Sequence, residues 1–267
     1  MKRIAIIASA LFFIGIIGCN TNKEENLYKI ETSYGDITIR LYEETPKHTE
    51  NFEKLVKKGF YEDLLFHRVI EGFMIQGGDP FSKDAPKGTL LGEEDAGYTL
   101  PAEFNDSLFH KKGIIAAARE GDQVNPEKRS SSSQFYIVQG KVFTNEELDK
   151  LENRINASTK KRATQKYIQQ ATVEGMEENK EIDYEVLIPQ AEAYAQHYMD
   201  SVGYYKIPEF KREAYRTIGG TPRLDGNYTV FGEVVEGMEV IDKIASIDTD
   251  ENDRPVNDVV MDIKKIK

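Results

Sequence analysis

The sequence predicts a mainly β domain that is interrupted by an α-helical insertion, and three observations lead to this fold class. Apolar and polar residues alternate on both sides of a turn at Gly35, over positions 28–41, which is typical of a β-hairpin. Several short runs rich in β-branched and aromatic residues follow, each bounded by glycine. About eighty residues after position 140 instead repeat apolar residues at spacings of three and four, which indicates helices.

Residues 1–18 have the layout of a secretory signal peptide. Two basic residues precede fourteen uncharged, mostly apolar residues, a stretch too short to span a bilayer comfortably. The sequence IIGC at positions 16–19 resembles a bacterial lipobox, in which Cys19 carries the lipid. Cys19 is the only cysteine, which excludes an internal disulfide. The alternative is a signal anchor with an incidental cysteine.

Residues 19–26 are short and polar, and we interpret them as a tether between a lipid on Cys19 and the globular body. We therefore expect the protein in the bacterial cell envelope, anchored to a membrane and facing the periplasm or the cell surface. The formal net charge is −11, which argues against nucleic acid as a partner, because phosphate binding depends on lysine and arginine.

A first helix is predicted to begin at Thr45, with Pro46 at its first position, and to end near Gly59. His48 falls in its first turn on the polar side, so we expect this histidine to be solvated.

The segment 66–79, FHRVIEGFMIQGGD, combines a fixed cation, an amide and large apolar side chains within two predicted short strands joined by a turn. This arrangement brings Arg68 and Gln76 near Phe73 and Met74. Arginine stays charged and offers a planar fork of donors, which suits a site that holds a carbonyl or amide without exchanging protons. The alternative is an arginine at a sheet edge beside core residues.

Two other polar stretches are interpreted as loops. Residues 119–133 contain a serine run, but no histidine or acid lies near it in sequence, so a flexible loop is favoured over a nucleophile. Residues 248–253 imitate the start of a calcium loop, yet Asp253 stands where glycine is required and Val259 where glutamate is required. No metal site is predicted.

The helical insertion is assigned to residues 141–216. Thr144 and Glu147 form a capping-box pattern that begins a long helix running toward position 172. A second helix contains Pro189, which should kink it or start it anew, and a third follows Pro208. The insertion either covers the barrel as a structural cap or serves as a client-binding or partner-docking arm at the rim of the site, and the sequence does not separate these roles.

The segment 66–79 resembles the signature segment of the cyclophilins, the peptidyl-prolyl cis-trans isomerases. Four further matches follow in the order of that family: GYTLPAEF at 97–104, GIIAAAR at 113–119, SSQFYI at 132–137 and LDGNYTVFG at 224–232. The resemblance implies an eight-stranded antiparallel barrel capped by two helices, divided by the insertion into residues 27–140 and 217–267.

The resemblance also implies the site. The matching catalytic residues are Arg68, Phe73 and Gln76, and Arg68 would donate a hydrogen bond to the prolyl nitrogen. The matching substrate-binding residues are Met74, Ala118, Arg119, Gln134, Tyr136, Leu224 and Tyr228. Arg119 would act through its backbone, so its side chain should matter little. Neither a cofactor nor a covalent intermediate is expected.

This sequence departs from many animal cyclophilins at two positions. Arg223 stands in place of a tryptophan and Tyr228 in place of a histidine. Loss of the indole removes a flat contact and a donor, so we expect weak or no binding of cyclosporin and retained turnover. Tyr136 replaces a more usual phenylalanine, which should be tolerated.

The function implied is peptidyl-prolyl isomerisation that assists the folding of exported proteins, with proline-containing polypeptides as clients. The alternative is a peptide-binding or holdase chaperone module that uses the same groove and the helical insertion. An arginine aimed at the prolyl nitrogen favours the isomerase.

Overall fold

The computed structural model describes residues 26–178 and 180–266, so the predictions for the signal peptide and for Cys19 lie outside the described residues. Ten strands form within them: β1 (Leu27–Thr32), β2 (Gly35–Leu41), β3 (Leu64–Ile70), β4 (Met74–Gly77), β5 (Thr99–Leu100), β6 (Ile114–Ala117), β7 (Ser130–Ser131), β8 (Phe135–Val138), β9 (Val230–Glu236) and β10 (Val260–Lys265). The helices are α1 (Pro46–Lys57), α2 (Asn145–Glu177), α3 (Tyr184–Val202), α4 (Glu209–Thr217) and α5 (Met238–Ala245).

Eight strands close into a barrel in the order β1-β10-β3-β4-β8-β6-β9-β2, and every neighbouring pair is antiparallel. Strands β5 and β7 form a separate two-stranded sheet. The predicted eight-stranded antiparallel barrel is therefore confirmed. The chain closes the sheet on itself, which leaves the barrel without a free edge strand.

Alternation along the strands separates an inner core from an outer apolar surface. Ile75, Ile115 and Ile137 belong to the large core, which also buries the apolar faces of α1 and α5. Their neighbours Ala116 and Tyr136 belong to a second cluster on the other face of the same strands. The barrel interior is thus filled with side chains, and the outer face of β4, β6 and β8 is available to form a site.

The start of α1 differs from the prediction at His48. Thr45 occupies the N-cap but makes no side-chain capping bond, and His48 is buried, with 3% of its surface exposed. The carboxylate of Glu103 accepts the backbone N–H groups of Lys47 and His48, each at 3.1 Å, and lies 2.6 Å from Nδ1 of His48. The expectation of a solvated histidine was wrong because a distant carboxylate caps this helix and covers the ring.

The serine run also differs from the prediction. Ser130 and Ser131 form β7 opposite β5, and Ser130, Ser132 and Ser133 are buried. The backbone carbonyls of Ser132 and Ser133 accept hydrogen bonds from Asn51 and Tyr61 at 2.6 and 3.2 Å. For residues 130–133 the interpretation as a flexible loop was wrong, because these long-range bonds hold the segment against the barrel. Residues 119–129 contain no helix or strand, as predicted.

The insertion begins as predicted, with a capping box in which Thr144 and Glu147 satisfy each other's backbone groups. Helix α2 extends to Glu177, beyond the predicted position 172. Helix α3 runs through Pro189, so the proline does not start a new helix, and α4 follows Pro208. The exact division of the chain at positions 141 and 216 stays a prediction.

A buried carboxylate holds the insertion together. The Glu152 side chain of α2 is 2% exposed and accepts hydrogen bonds from Lys206 at 2.8 Å, Arg212 at 2.9 Å and the backbone N–H of Ile207 at 2.9 Å. Nearby, Leu148, Ile207 and Tyr215 form a small core of their own.

Between positions 26 and 266, leaving aside residue 179, no helix has the length and apolar character needed to cross a membrane.

Candidate active site

Strand register places three predicted site residues and one neighbouring alanine in a single row across the outer face of the barrel. Arg68 of β3 lies opposite Gln76 of β4, Gln76 lies opposite Tyr136 of β8, and Tyr136 lies opposite Ala116 of β6. Directly opposed residues on neighbouring strands point to the same face of a sheet. The predicted proximity of Arg68 and Gln76 is confirmed, and Tyr136 continues their row.

A cavity of about 250 Å³ lies over this row. Nine of the ten predicted catalytic and substrate-binding residues line it: Arg68, Phe73, Met74, Gln76, Ala118, Arg119, Tyr136, Leu224 and Tyr228. His67, Leu91 and Gly92 complete the lining. We call this cavity the proline pocket.

The tenth residue, Gln134, stands beside the proline pocket. Its side-chain oxygen accepts a hydrogen bond from Nε2 of Gln76 at 2.9 Å. Its own Nε2 donates to the carbonyls of Gly92 and Glu94 at 2.9 and 2.7 Å. Gln134 therefore fixes the orientation of the Gln76 amide and ties the 92–94 loop to the rim of the pocket.

The guanidinium group of Arg68 is bound through its Nε atom, and the side chain lines the proline pocket. Its side chain is 42% exposed, and Nε donates to Oδ2 of Asp253 at 3.3 Å. Within the described part of the chain, its terminal guanidinium nitrogens make no hydrogen bond. They remain available as donors to a ligand in the proline pocket. Asp253 was not predicted as part of the site.

The other side of the pocket is apolar. Met74 and Tyr136 are almost fully buried, and Phe73 and Leu224 pack against them while partly exposed. The guanidinium carbon of Arg223 lies 4.4 Å from the centre of the Phe73 ring. Arg223 thus covers Phe73 with a flat cation at the position where a tryptophan was expected from the resemblance.

The side chain of Arg119 has a structural role that the sequence prediction did not include. It is 5% exposed, pairs with Asp122 at 2.7 Å and donates from Nε to the carbonyl of Asn227 at 2.7 Å. Its guanidinium carbon lies 4.7 Å from the centre of the Tyr228 ring. Arg119 therefore supports the pocket wall formed by Tyr228, in addition to any role of its backbone.

Two buried residues behind the pocket were missed at the level of sequence. His110 places Nε2 2.9 Å from the hydroxyl of Tyr136, and its Nδ1 lies 3.0 Å from Oδ1 of Asp225. The backbone N–H of His110 also donates to Asp225, at 2.9 Å. Asp225 further accepts from the Tyr215 hydroxyl at 2.8 Å and lies 3.7 Å from Nζ of Lys211.

The surroundings of Asp225 and Tyr136 keep the first ionised and the second protonated. Burial alone would raise the pKa of Asp225, but its hydrogen bonds and charge interaction with His110 hold that pKa below the ordinary value. The ionised carboxylate accepts the Nδ1 proton of His110, and Nε2 of the same ring forms a hydrogen bond with the Tyr136 hydroxyl, which carries its proton. Burial raises the pKa of Tyr136 well above its ordinary value, which keeps this proton in place.

The only sequence signal for this arrangement was the position of Asp225 within the motif LDGNYTVFG, because His110 lies 115 residues away.

In the regions described, no group of three or more His, Cys, Asp or Glu side chains is arranged to hold a metal ion.

Comparison with known proteins gives the family. The model of the cyclophilin type peptidyl-prolyl cis-trans isomerases matches residues 27–187 and 210–266. A Staphylococcus haemolyticus protein, provisionally named a peptidyl-prolyl cis-trans isomerase, is 30% identical over 91% of this chain and 93% of its own length. A Staphylococcus aureus protein with the same provisional name is 29% identical over 87% of each chain.

A provisionally named bifunctional phosphatase/peptidyl-prolyl cis-trans isomerase of Streptococcus pyogenes is 30% identical over 87% of this chain, which spans 37% of that protein. Among solved structures, a Cryptosporidium parvum cyclophilin type isomerase has a TM-score of 0.53 at 20% identity, covering 91% of this chain and 98% of its own. The latter likeness shows the fold. Together with the family match, it identifies this chain as a member of the cyclophilin-type peptidyl-prolyl cis-trans isomerases.

Proposed function

We propose that the proline pocket is where this isomerase rotates Xaa-Pro peptide bonds, and that its clients are exported polypeptides. The observation that carries the proposal is the pairing of one fixed cation, Arg68, with an apolar wall across a 250 Å³ cavity. Rotation about a peptide bond requires no proton transfer and no covalent intermediate, so a fixed donor beside an apolar pocket meets the needs of the reaction.

The chemical problem is a barrier of about 18 to 20 kcal/mol, which arises from resonance in the peptide bond. In the twisted transition state, the prolyl nitrogen loses this resonance and becomes a hydrogen-bond acceptor. A free guanidinium nitrogen of Arg68 donates to it, and this bond is stronger in the transition state than in the ground state. A hydrogen bond of this kind contributes roughly 1.5 to 3 kcal/mol, or about 10-fold to 150-fold in rate.

The remaining acceleration comes from positioning. The apolar wall of Phe73, Met74 and Tyr136 holds the proline ring beside Arg68 while the acyl side rotates. Gln76 is fixed by Gln134 and presents an amide toward the rotating side. A related Cryptosporidium parvum cyclophilin structure, determined in the presence of the dipeptide Ala-Pro, has a TM-score of 0.51 at 19% identity over 90% of this chain and 99% of its own.

NMR exchange spectroscopy on a short proline peptide tests this mechanism. Arg68→Ala should lower kcat/KM by about 10-fold to 150-fold because the donor to the prolyl nitrogen is lost. Arg162→Ala, which removes an exposed arginine of α2, is the matched control and should leave turnover unchanged. Equal turnover by Arg68→Ala and wild type would refute the role of Arg68.

The envelope location is supported by the sequence alone, through the apolar leader and the lipobox at Cys19. Wild type should incorporate a labelled fatty acid and sediment with membranes, whereas Cys19→Ser should do neither. Protease treatment of whole cells would then distinguish a protein on the cell surface from one facing the periplasm, since only the former is cleaved.

A second candidate function is a holdase that binds unfolded clients without turnover. Exposed apolar side chains on α3 favour it, including Val186, Tyr194 and Tyr198, which are 53%, 42% and 39% exposed. Arg68→Ala should then still suppress the aggregation of an unfolded client, and replacing these three side chains by serine should abolish that suppression.

A further inference from the structure

A second groove adjoins the proline pocket and is built partly by the insertion. Its volume is about 490 Å³, and its lining includes Phe73, Phe143, Lys150, Leu151, Arg154 and Arg223. We call it the basic groove. Helix α2 supplies one wall, and Phe73 belongs to both the basic groove and the proline pocket. A ligand that extends from the proline pocket past Phe73 therefore enters the basic groove.

The lining of the basic groove is strongly positive in a protein whose net charge is −11. Its one acidic residue, Glu147, pairs with Lys141 at 2.7 Å and also accepts the backbone N–H of Thr144 in the capping box. Across the residues that the structure covers, Lys150, Arg154 and Arg223 make no ion pair. Three cations outside any ion pair thus line a shared cavity against a single acidic residue, which favours an anionic occupant.

The basic groove also offers apolar contact. Phe73, Phe143 and Leu151 provide the apolar surface. A small inorganic anion would use the charges and leave the apolar surface uncovered. A polypeptide segment with acidic and apolar side chains matches both features.

The direction of such a segment follows from the two flanks of the proline pocket. On one flank, the resemblance to the cyclophilins implies that the backbone of Arg119 holds the residue before the proline and that Ala118 floors the neighbouring subsite. Both residues also line a cavity of about 320 Å³. That cavity and the basic groove share no lining residue. A chain held before its proline at Arg119 therefore leaves the pocket on the side of Phe73.

We propose that the basic groove binds an acidic segment of the client that follows the isomerised proline. The inference rests on the proposed function, because the proline pocket fixes where the segment starts. It makes this cyclophilin selective among proline sites: those followed within a few residues by aspartate or glutamate bind more tightly than those followed by neutral or basic residues.

The test uses three peptides that share one Xaa-Pro core. The first carries a pair of glutamates two and three residues after the proline, the second carries glutamines there, and the third carries the glutamate pair before the proline. Affinity is measured by fluorescence anisotropy with wild type and with Arg68→Ala, and turnover is measured by NMR exchange. Two exposed ion pairs predict about threefold to tenfold tighter binding of the first peptide, falling toward equality at high salt.

Charge-reversal variants show whether the preference for the first peptide comes from the basic groove. Lys150→Glu/Arg154→Glu should abolish or invert the preference for the first peptide. Lys161→Glu/Lys166→Glu changes the net charge equally and lies on the same helix but outside the lining of the groove. It should retain the preference. Lower KM with unchanged kcat for the first peptide would match a contact made away from the rotating bond.

Equal affinity for the first and second peptides in wild type would overturn the inference, as would a preference that survives Lys150→Glu/Arg154→Glu. Tighter binding of the third peptide would overturn the direction. The outcome does not depend on turnover: a wild type that binds the first peptide selectively without isomerising it would sustain the basic groove and refute the isomerisation mechanism. A wild type that isomerises the first and second peptides but binds them equally would refute the basic groove and leave the isomerisation mechanism standing.

Discussion

The Nε2 atom of His110 lies 2.9 Å from the phenolic oxygen of Tyr136, and this contact joins a buried histidine to the wall of the proline pocket. Asp225 fixes the other ring nitrogen of His110 and also accepts from Tyr215 of α4. The insertion is therefore connected to the pocket through three buried side chains. This connection gives α4 a part in holding the site, in addition to covering the barrel.

Replacing Tyr136 by phenylalanine should lower the free energy of unfolding by about 1 to 3 kcal/mol, because Nε2 of His110 stays buried and loses its hydrogen-bond partner. The proline ring keeps its aromatic contact, so turnover should be retained. Chemical denaturation with urea measures the first effect and NMR exchange the second.

A double-mutant cycle with His110→Leu separates this hydrogen bond from general packing. If the two side chains interact directly, the double variant should be less destabilised than the sum of the single variants by about 1 kcal/mol. Additive effects would show that the contact contributes nothing to stability.

Replacing Arg223 by tryptophan should increase affinity for cyclosporin by about 10-fold, because an indole restores a flat apolar contact and a donor at the edge of the pocket. The natural sequence contains no tryptophan, so the introduced indole is also the sole fluorescent reporter of its kind. Arg223→Leu, which restores apolar area without an indole donor, is the control. If Arg223→Trp bound cyclosporin no more tightly than wild type, the missing indole would not explain weak binding.

Stability should decrease as the pH falls from about 6.5 to about 4, because of His67. Burial lowers the pKa of His67 to about 4, and neither ring nitrogen has a hydrogen-bond partner among the described residues. The unfolded chain takes up a proton near pH 6.5 while the folded chain does not, so the stabilisation is full above pH 6.5 and is lost toward pH 4. The loss amounts to at most about 3 kcal/mol.

Urea denaturation at several pH values measures this slope in wild type and in His67→Gln, which should be flatter between pH 6.5 and 4. His197 is exposed on α3, and His197→Gln serves as the control. An unchanged slope in His67→Gln would assign the acid sensitivity to other groups.

Replacing Glu152 by glutamine should loosen the insertion by about 1 to 3 kcal/mol, because hydrogen bonds from Lys206 and Arg212 to a carboxylate are weakened. Burial alone would raise the pKa of Glu152, but the bonds from Lys206 and the backbone of Ile207 bring that pKa below its ordinary value. Its stabilisation is therefore present above the unfolded pKa near 4.3 and is lost as the pH falls through the lower folded pKa.

Hydrogen exchange is the suitable measurement, since amides of α2 and α4 should exchange faster in Glu152→Gln while those of the barrel do not. Asp149→Asn is the control, because Asp149 contacts the same Arg212 from a 60% exposed position and should have a smaller effect. Faster exchange throughout the barrel would mean that the insertion and barrel unfold as one unit.

The sequence by itself determined the barrel strands, the capping box and the pairing of Arg68 with Gln76. These features depend on residues close together in the chain: the period of two along a strand, a turn at Gly72, and a cap three residues from its partner. The resemblance of short motifs to the cyclophilin family implied the site, and nine of its ten predicted residues line one cavity.

Only the tertiary structure decided the burial of His48, the support of Tyr136 by His110 and Asp225, and the contact of Arg68 with Asp253. The partners in these contacts are separated by 55, 115 and 185 residues in the chain. The basic groove likewise exists only where α2 of the insertion lies beside Phe73 of the barrel. Local patterns carry no information about such distances, since closure of the barrel and docking of the insertion bring these residues together.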